Sequence, residues 1–529
     1  YLINISLFNI QMFRELILVV LLSHNVFAYN ILAIISLPLR SHYMAFAPFF
    51  RELANKGHNV TVINNFPDKE ATPNLQFIDI EMPLKPTLPT MDYYETIPSS
   101  YLFLNDFYRH LFLTPKVVKE ECEILLTNKK VKDITMKNKY DVIFVELFES
   151  ECGLAYALNM FEAPVIGIKS HVFLPTAYAK LGIPFNFASD PYYRSNAGAY
   201  PSLPQKVANY VMQLVSMTVR CFVTNPNINA VFEEHVPDKS IDLDTVTKER
   251  MKMVFAYQHH SVTGARLLAP QVLEIGGLHV GKPKPKIEDI FTNAKNGAIY
   301  VSFGTYLRPH TMSNRKLQQF FTAFKRLPYQ FIWKIDNITV PAGIDNVHIG
   351  SWWPQLDVLC HPKILAFISH GGMLSISESA HCGKPMITVP FFGDQFSNAA
   401  AVREVGLAIT LYLSDLTAEN LEESIKYLTS NEMQQNSRRV SKLWHDRPQS
   451  VMDSAIYWTE YVARHGLAPP SLPSKYSTWF DNTLLDVYFV LMLMLVALFL
   501  MLYTIFKVLM LVKILVYKCL FGLLKRKTD

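Results

Sequence analysis

Cysteine is scarce in this chain, with six residues in 529. They are Cys122, Cys152, Cys221, Cys360, Cys382 and Cys519, and none stands in a CxxC or Cys/His spacing. No zinc module is indicated, because structural zinc needs clustered ligands. So few thiols also exclude a disulfide scaffold. Buried free thiols are the expected state, with one bridge open in an oxidising compartment. A charged body is missing too. The formal net charge is +5, and the segment from Lys507 onward supplies all of it. The neutral remainder excludes a nucleic-acid partner, since phosphate binding needs a basic footprint. No GxGxxG follows the first apolar strand pattern, which argues against a dinucleotide-dependent oxidoreductase. His259-His260 is the one conspicuous histidine pair, and adjacent residues on a strand face opposite sides, so a metal site is not expected there.

What is present begins with two apolar segments. Met12-Phe-Arg-Glu opens a short run, Leu16 to Leu22, and Val26-Phe-Ala28 ends on a small residue. A basic start, a short apolar core and a small-residue cleavage site describe a secretory signal over 12–28. Translation is expected to start at Met12, with Tyr1–Gln11 as upstream sequence. Val487–Phe506 is uncharged and reaches about 30 Å as a helix, enough for one bilayer crossing. Lys507 and the basic residues after it mark the cytosolic side. The body is therefore expected in the lumen of the secretory pathway, with a basic cytosolic tail over 507–529. Val508–Leu524 is apolar but carries Lys513 and Lys518, which suits an interfacial helix. Lys525 and Lys527 resemble a dilysine retrieval signal for the endoplasmic reticulum; a plain stop-transfer cluster is the alternative. Asn59-Val-Thr61 and Asn337-Ile-Thr339 are glycosylation sequons, and the apolar strand pattern around Asn59 disfavours the first.

Between these segments the chain is long enough for two α/β domains. Asn30–Ile35 reads as a buried strand and Leu37–His42 as a loop. Tyr43–Lys56 has helical spacing and Val60–Ile63 forms the next strand, a unit that predicts a parallel sheet. Asp141–Val145 is a later strand, ending at Glu146. Residues 66–110 and 170–250 show no clear pattern. Gly281–Lys286 is a Pro/Lys linker. After it come candidate strands at 298–302, 330–334, 347–351, 364–369 and 385–389, and a helical stripe of Val451, Ala455, Trp458 and Val462. Two doubly wound domains facing a cleft follow, over 29–280 and 281–470.

The chemistry concentrates in the second half. Ile364–Ser369 is a strand, and His370-Gly371-Gly372 turns it into a helix whose first amides are unpaired, a ready anion site. His370 and Ser375 add donors suited to a diphosphate. Glu378, one turn on, can accept from ribose hydroxyls, and Trp352 offers a flat face for a base. Asp394-Gln395 opens another helix at a strand end and can bind sugar hydroxyls, in the place where parallel sheets hold ligands. Together these describe a nucleotide-sugar site.

The run from Ser351-Trp-Trp-Pro-Gln through Ser369-His-Gly-Gly to Phe391-Phe-Gly-Asp-Gln closely resembles the signature of the UDP-glycosyltransferase family, and its form is similar to arthropod members. The resemblance implies an inverting enzyme of GT-B fold with a C-terminal transmembrane helix. It implies that Trp352 and Gln355 meet the base or ribose, and that His370, Gly372 and Ser375 hold phosphate. Glu378 then holds the ribose, and Asp394 and Gln395 the sugar. Ser302-Phe303-Gly304-Thr305 resembles the family's first phosphate-side loop. His42, after the first strand, matches the catalytic base. The family's partner Asp is matched by Glu146, one methylene longer, with Glu149 and Glu151 as alternatives.

The expected reaction is an in-line displacement. His42 takes the acceptor hydroxyl's proton, Glu146 stabilises the imidazolium, and the helix amides with His370 receive the charge of departing UDP. The donor is a UDP-sugar, with UDP-glucose the first choice; glucuronate would want a cation that the sequence does not locate. The acceptor is expected to be a small lipophilic hydroxyl compound, as in detoxification. No metal or other cofactor is expected. The bilayer is the one macroscopic partner, and self-association into a homo-oligomer stays open. A lumenal binding protein that keeps the fold without activity is the competing reading, and intact His42, Asp394 and Gln395 argue against it.

Overall fold

Strands buried on both faces need near-continuous apolar runs, and helices to cover them. The first half supplies seven: β1 (Asn30–Ile34), β2 (Asn59–Asn64), β3 (Leu75–Asp79), β4 (Val142–Glu146), β5 (Val165–Lys169), β6 (Met251–Ala256) and β7 (Val272–Glu274). In the computed structural model they form one sheet in the order β3-β2-β1-β4-β5-β6-β7, with neighbouring strands parallel throughout. The second half supplies β8 (Ala298–Ser302), β9 (Gln330–Lys334), β10 (Val347–Gly350), β11 (Ile364–Ser369), β12 (Met386–Thr388) and β13 (Ala408–Thr410). These order as β10-β9-β8-β11-β12-β13, again parallel. The structure describes residues 28–82, 89–172, 174–186, 190–236, 243–284, 291–467, 469–477, 480 and 484–525. The expected signal segment lies outside them except for Ala28, as does the end of the tail from Arg526.

The helices that matter for the site are α1 (Arg40–Asn55), α2 (Ser99–Thr127), α3 (Asn314–Arg326), α4 (Gln355–Leu359), α5 (Met373–Cys382), α6 (Gln395–Glu404) and α7 (Val451–His465). Helix α1 lays Phe46, Phe49 and Phe50 onto Phe144 and Phe255 of the first sheet. Helix α3 shows why its sequence is helical: Ser313 caps its N-terminus, and Leu317, Phe320, Phe321 and Phe324 fall on one stripe. That stripe covers Phe331 and Trp333 of β9, and each buried phenylalanine contributes about 1.5–3 kcal/mol.

Several sequence expectations change. Helix α1 begins at Arg40, so His42 sits in its first turn and not in a loop. The patternless stretches hold regular structure: β3 and the start of α2 in 66–110, and several further helices in 170–250. Helix α2 was hidden because it contributes to two cores. Leu102 packs in the second, Phe107 in the first, so no single stripe marks it, and Pro115 interrupts its pattern. Helix α7, assigned by sequence to the second domain, packs Ala455, Ile456 and Val462 into the first core, and Glu460 pairs with buried His58 at 3.2 Å. His259 and His260 lie beyond the end of β6, with ring centroids 4.1 Å apart, and so do not face opposite sides of a strand. Asn59 and Asn337 are both exposed.

The cysteines are mostly paired, contrary to the free-thiol expectation. Cys122 bridges Cys152, and Cys360 bridges Cys382; Cys221 is free and exposed. The partners are 30 and 22 residues apart, so only the fold brings them together.

The chain divides into two compact units, one to Ser471 and one from Leu472. The second is dominated by α8, a single helix over Leu485–Lys525 of 41 residues. At about 1.5 Å per residue it is roughly 60 Å long. Its Leu485–Lys518 portion is long and apolar enough to cross a membrane. The expected break after Phe506 is absent: lysine is a good helix former, and no proline or glycine occurs before Gly522.

Candidate active site

In a doubly wound sheet the ligand crevice opens where neighbouring strands send their connections to opposite faces. In the first sheet that point lies between β1 and β4. His42 follows β1 and Glu146 ends β4, so the topology itself brings them together. His42 Nδ1 is 2.5 Å from Glu146 Oε1, with both side chains largely buried. This fixes the proton on Nδ1 and leaves Nε2 as the basic nitrogen. The ring is walled by Phe148 at 4.7 Å and His171 at 5.8 Å, both edge-on. Burial holds His171 well below the usual histidine range, so it stays neutral. Behind the pair, burial and the nearby charge of Glu146 push the Glu121 carboxyl up to about 7, against hydrogen bonds from Ser150 and Ser36.

The alternatives to Glu146 are engaged elsewhere. Glu149 pairs with His110 at 3.1 Å, and Glu151 with Lys180 and Arg220. Burial alone would raise both carboxyls, but His110 with nearby Arg194 and Arg220 at Glu149, and Arg220 with Lys180 at Glu151, outweigh it and hold each at about 2.

In the second sheet the equivalent point lies between β8 and β11, at Ser302 and His370. Gly304 and Gly372 clasp the His370 ring: an added Cβ would stand 2.8 Å from its Cε1 at Gly304, and 2.6 Å from its Nε2 at Gly372. Only glycine fits either place. Burial, then the charge of Lys334, pulls His370 down to about 4, so it is a neutral donor near pH 7. Ser302 is buried, its Oγ accepting from the Gly304 amide at 3.4 Å inside the turn, while Thr305 is exposed.

On α4 and α5, Gln355 Nε2 donates to Ser375 Oγ at 3.1 Å and to Glu378 Oε2 at 2.5 Å. The Ser375 proton remains for a ligand. Both oxygens of Glu378 already have partners, since Oε1 faces His279 at 3.4 Å; each still has a lone pair for a ribose hydroxyl. The Cys360–Cys382 bridge joins the ends of these two helices. Trp352 is largely exposed, but Lys334 Nζ stands 4.7 Å from its ring, leaving one face for a base.

At the start of α6, Gln395 Oε1 accepts from the Phe391 and Phe392 amides at 2.9 and 3.3 Å, so what it offers outward is its NH2. Asp394 accepts from Asn398 at 2.8 Å. Burial raises its carboxyl, and the Asn398 hydrogen bond, with nearby His42 and Arg194, moderates the rise.

The family model described as "UDP-glucoronosyl and UDP-glucosyl transferase" matches residues 33–520. The chain belongs to this family. A UDP-glucosyltransferase 2 of Dactylopius coccus is 31% identical over 87% of this chain and 88% of its own length. The human UDP-glucuronosyltransferase 3A1 is 27% identical, covering 85% and 87%. An ecdysteroid UDP-glucosyltransferase of Lacanobia oleracea granulosis virus is 27% identical, covering 86% and 98%. Among solved structures, the calicheamicin glycosyltransferase CalG4 superposes with a TM-score of 0.56 at 17% identity, over 83% of this chain and 99% of that one. That likeness shows the GT-B fold.

In this UDP-glycosyltransferase two residues around the donor site escaped the sequence reading. Lys334 ends β9 beside Ser302, donates to the Gly304 carbonyl at 2.9 Å, and is the cation beside His370. Its place at the end of an anticipated strand was the available signal. His279, just before the linker, carried none: only folding brings it to Glu378.

Proposed function

We propose that the enzyme transfers glucose from UDP-glucose, with inversion, to a hydroxyl of a small lipophilic acceptor, giving a β-glucoside. The observation that carries this is the buried His42–Glu146 pair at the switch point between β1 and β4. A base fixed by a carboxylate suits deprotonation of an incoming hydroxyl, and Asp394 with Gln395 suits the sugar it attacks. Names of relatives support glucose, and the ecdysteroid-directed relative supports a lipophilic acceptor. Trp352 and Gln355 serve the base and ribose, Glu378 the ribose, and His370, Gly372 and Ser375 the diphosphate. Ser302, Gly304 and Thr305 form the loop beside it. In this reading backbone amides and His370 receive the leaving charge, and no metal takes part. Products from microsomes given UDP-glucose, UDP-galactose and UDP-glucuronate with phenols and steroid alcohols should be β-glucosides by mass spectrometry and glycosidase digestion. An α-linked product, or preferred transfer of glucuronate, rejects the reading.

The same proposal places the body in the endoplasmic reticulum lumen, in a type I arrangement, with a detoxifying role. Two disulfides suit an oxidising compartment, the exposed sequon asparagines suit glycosylation, and the lysines from Lys507 on suit the cytosolic side. Protease added to sealed microsomes should leave the catalytic body intact and trim only the tail. Digestion of the body before detergent is added refutes this orientation.

A further inference from the structure

The turn that carries Asp394 and Gln395 is held from the opposite domain. Gly393 has φ +64°, a left-handed conformation that favours glycine. Its buried amide donates to Asp106 Oδ2 at 2.9 Å. Asp106 lies on α2, whose neighbours pack into both cores: Leu102 on one side and Phe107 on the other. The same oxygen accepts from Arg194 Nη1 at 2.5 Å. Arg194 is buried; its Nε donates to Tyr193 Oη at 2.7 Å, and its Nη2 to His110 Nδ1 at 2.7 Å. Ser397 of α6 donates to the Tyr193 carbonyl at 2.9 Å, a second tie between the domains.

His110 and Tyr193 also line a cavity in the first domain, with Glu149, Tyr192, Gln213 and Arg220. Tyr193 stacks over His171, the ring beside His42. The hydrogen bonds therefore run without a break from the wall of this cavity, through Arg194 and Asp106, to the amide next to Asp394.

A buried ion pair such as Asp106–Arg194 is a poor way to gain stability, because desolvation offsets most of the attraction. Its directional bonds are better suited to fixing a register. We propose that Asp106, held by Arg194, is a positioning residue for transfer: it sets the sugar-binding turn from the acceptor domain, so the donor sugar is aligned only when the two domains are in register. This rests on the reading of Asp394 and Gln395 as sugar-binding. Asp106 itself touches neither sugar nor acceptor.

The test compares the full-length enzyme in microsomes with Asp106→Ala, Asp106→Asn and Gln395→Ala. The readouts are kcat with UDP-glucose and 1-naphthol as the phenolic probe, the rate ratio of UDP-glucose to UDP-galactose, and the Kd of UDP. Asp106→Ala should lower kcat at least tenfold and the sugar ratio at least threefold, with UDP Kd within twofold. A residue that only supported folding would weaken UDP binding as well. Asp106→Asn keeps a carbonyl oxygen for the Gly393 amide and should retain more activity than the alanine variant. If Asp106→Ala fails to fold, an intermediate loss of kcat and of sugar ratio in Asp106→Asn supports the role, and wild-type values in it refute it. Gln395→Ala separates the two readings. If it shifts the sugar ratio while the Asp106 variants leave kcat and ratio within twofold of wild type, the positioning role fails alone. If Gln395→Ala leaves the ratio unchanged, the sugar-site reading fails and takes this inference with it.

Discussion

Replacing His42 by alanine should lower glucosyl transfer by about 10²–10⁴-fold, the usual worth of a positioned general base, while UDP binds as before. The two halves of the site explain the split. His42 stands in the first turn of α1 in the first domain, and the groups assigned to UDP stand in the second. Glu146→Gln should be nearly as damaging, for a different reason. The carboxylate accepts a hydrogen bond from His42 Nδ1 across 2.5 Å. An amide can present its NH2 there instead, which would place the ring proton on Nε2 and leave no base facing the acceptor. Glu146→Asp keeps the charge and loses one methylene of reach, so its loss should be smaller. Initial rates with saturating acceptor and titration of UDP into each variant decide the matter. A His42→Ala enzyme with more than a tenth of wild-type turnover removes His42 from the mechanism, and a silent Glu146→Gln removes its partner.

How far the site was readable in the sequence follows from what each residue depends on. His42, Glu146, His370 and Asp394 stand at or just beyond the ends of apolar strands, and strand ends can be read from local pattern. Gly304 and Gly372 were also legible, although the reason for them was not. The fold shows that both clear room for one imidazole ring. Asp106, Arg194 and His279 depend on contacts across large separations: 287 positions separate Asp106 from Gly393. Nothing local marks such residues, and Asp106 looks like any polar residue of a helix. The disulfides were misread for the same cause. Charge bounds the expected span, but Lys507, Lys513 and Lys518 do not break a helix, so α8 runs on through them. Helix α7 was assigned by its place in the chain, and the apolar surface it covers belongs to the other domain.

The second large effect is expected at His370. Its ring is held between two glycines and is kept at about 4 by burial, then by Lys334. It is therefore neutral in the working range and can donate one N–H towards the diphosphate without adding a mobile charge. As the bond to the sugar breaks, negative charge grows on the departing phosphate, and a fixed donor stabilises that state more than the bound substrate. Removing one such donor costs roughly 10²–10³ in kcat. His370→Ala should show a loss of that order, with a smaller rise in the KM for UDP-glucose. The low value also predicts the pH response. Between about pH 5.5 and 8 His370 does not titrate, so it adds no step to the kcat profile there. Its effect on folding has a definite sign. A histidine depressed in the native state contributes stability fully present above its unfolded value near 6.5, lost as pH falls towards about 4. Acid unfolding of the wild type should therefore steepen between those limits, and His370→Ala should flatten it. A variant that keeps wild-type kcat, or that loses UDP affinity as much as turnover, would show that His370 serves only to bind the nucleotide or to fill the space between Gly304 and Gly372.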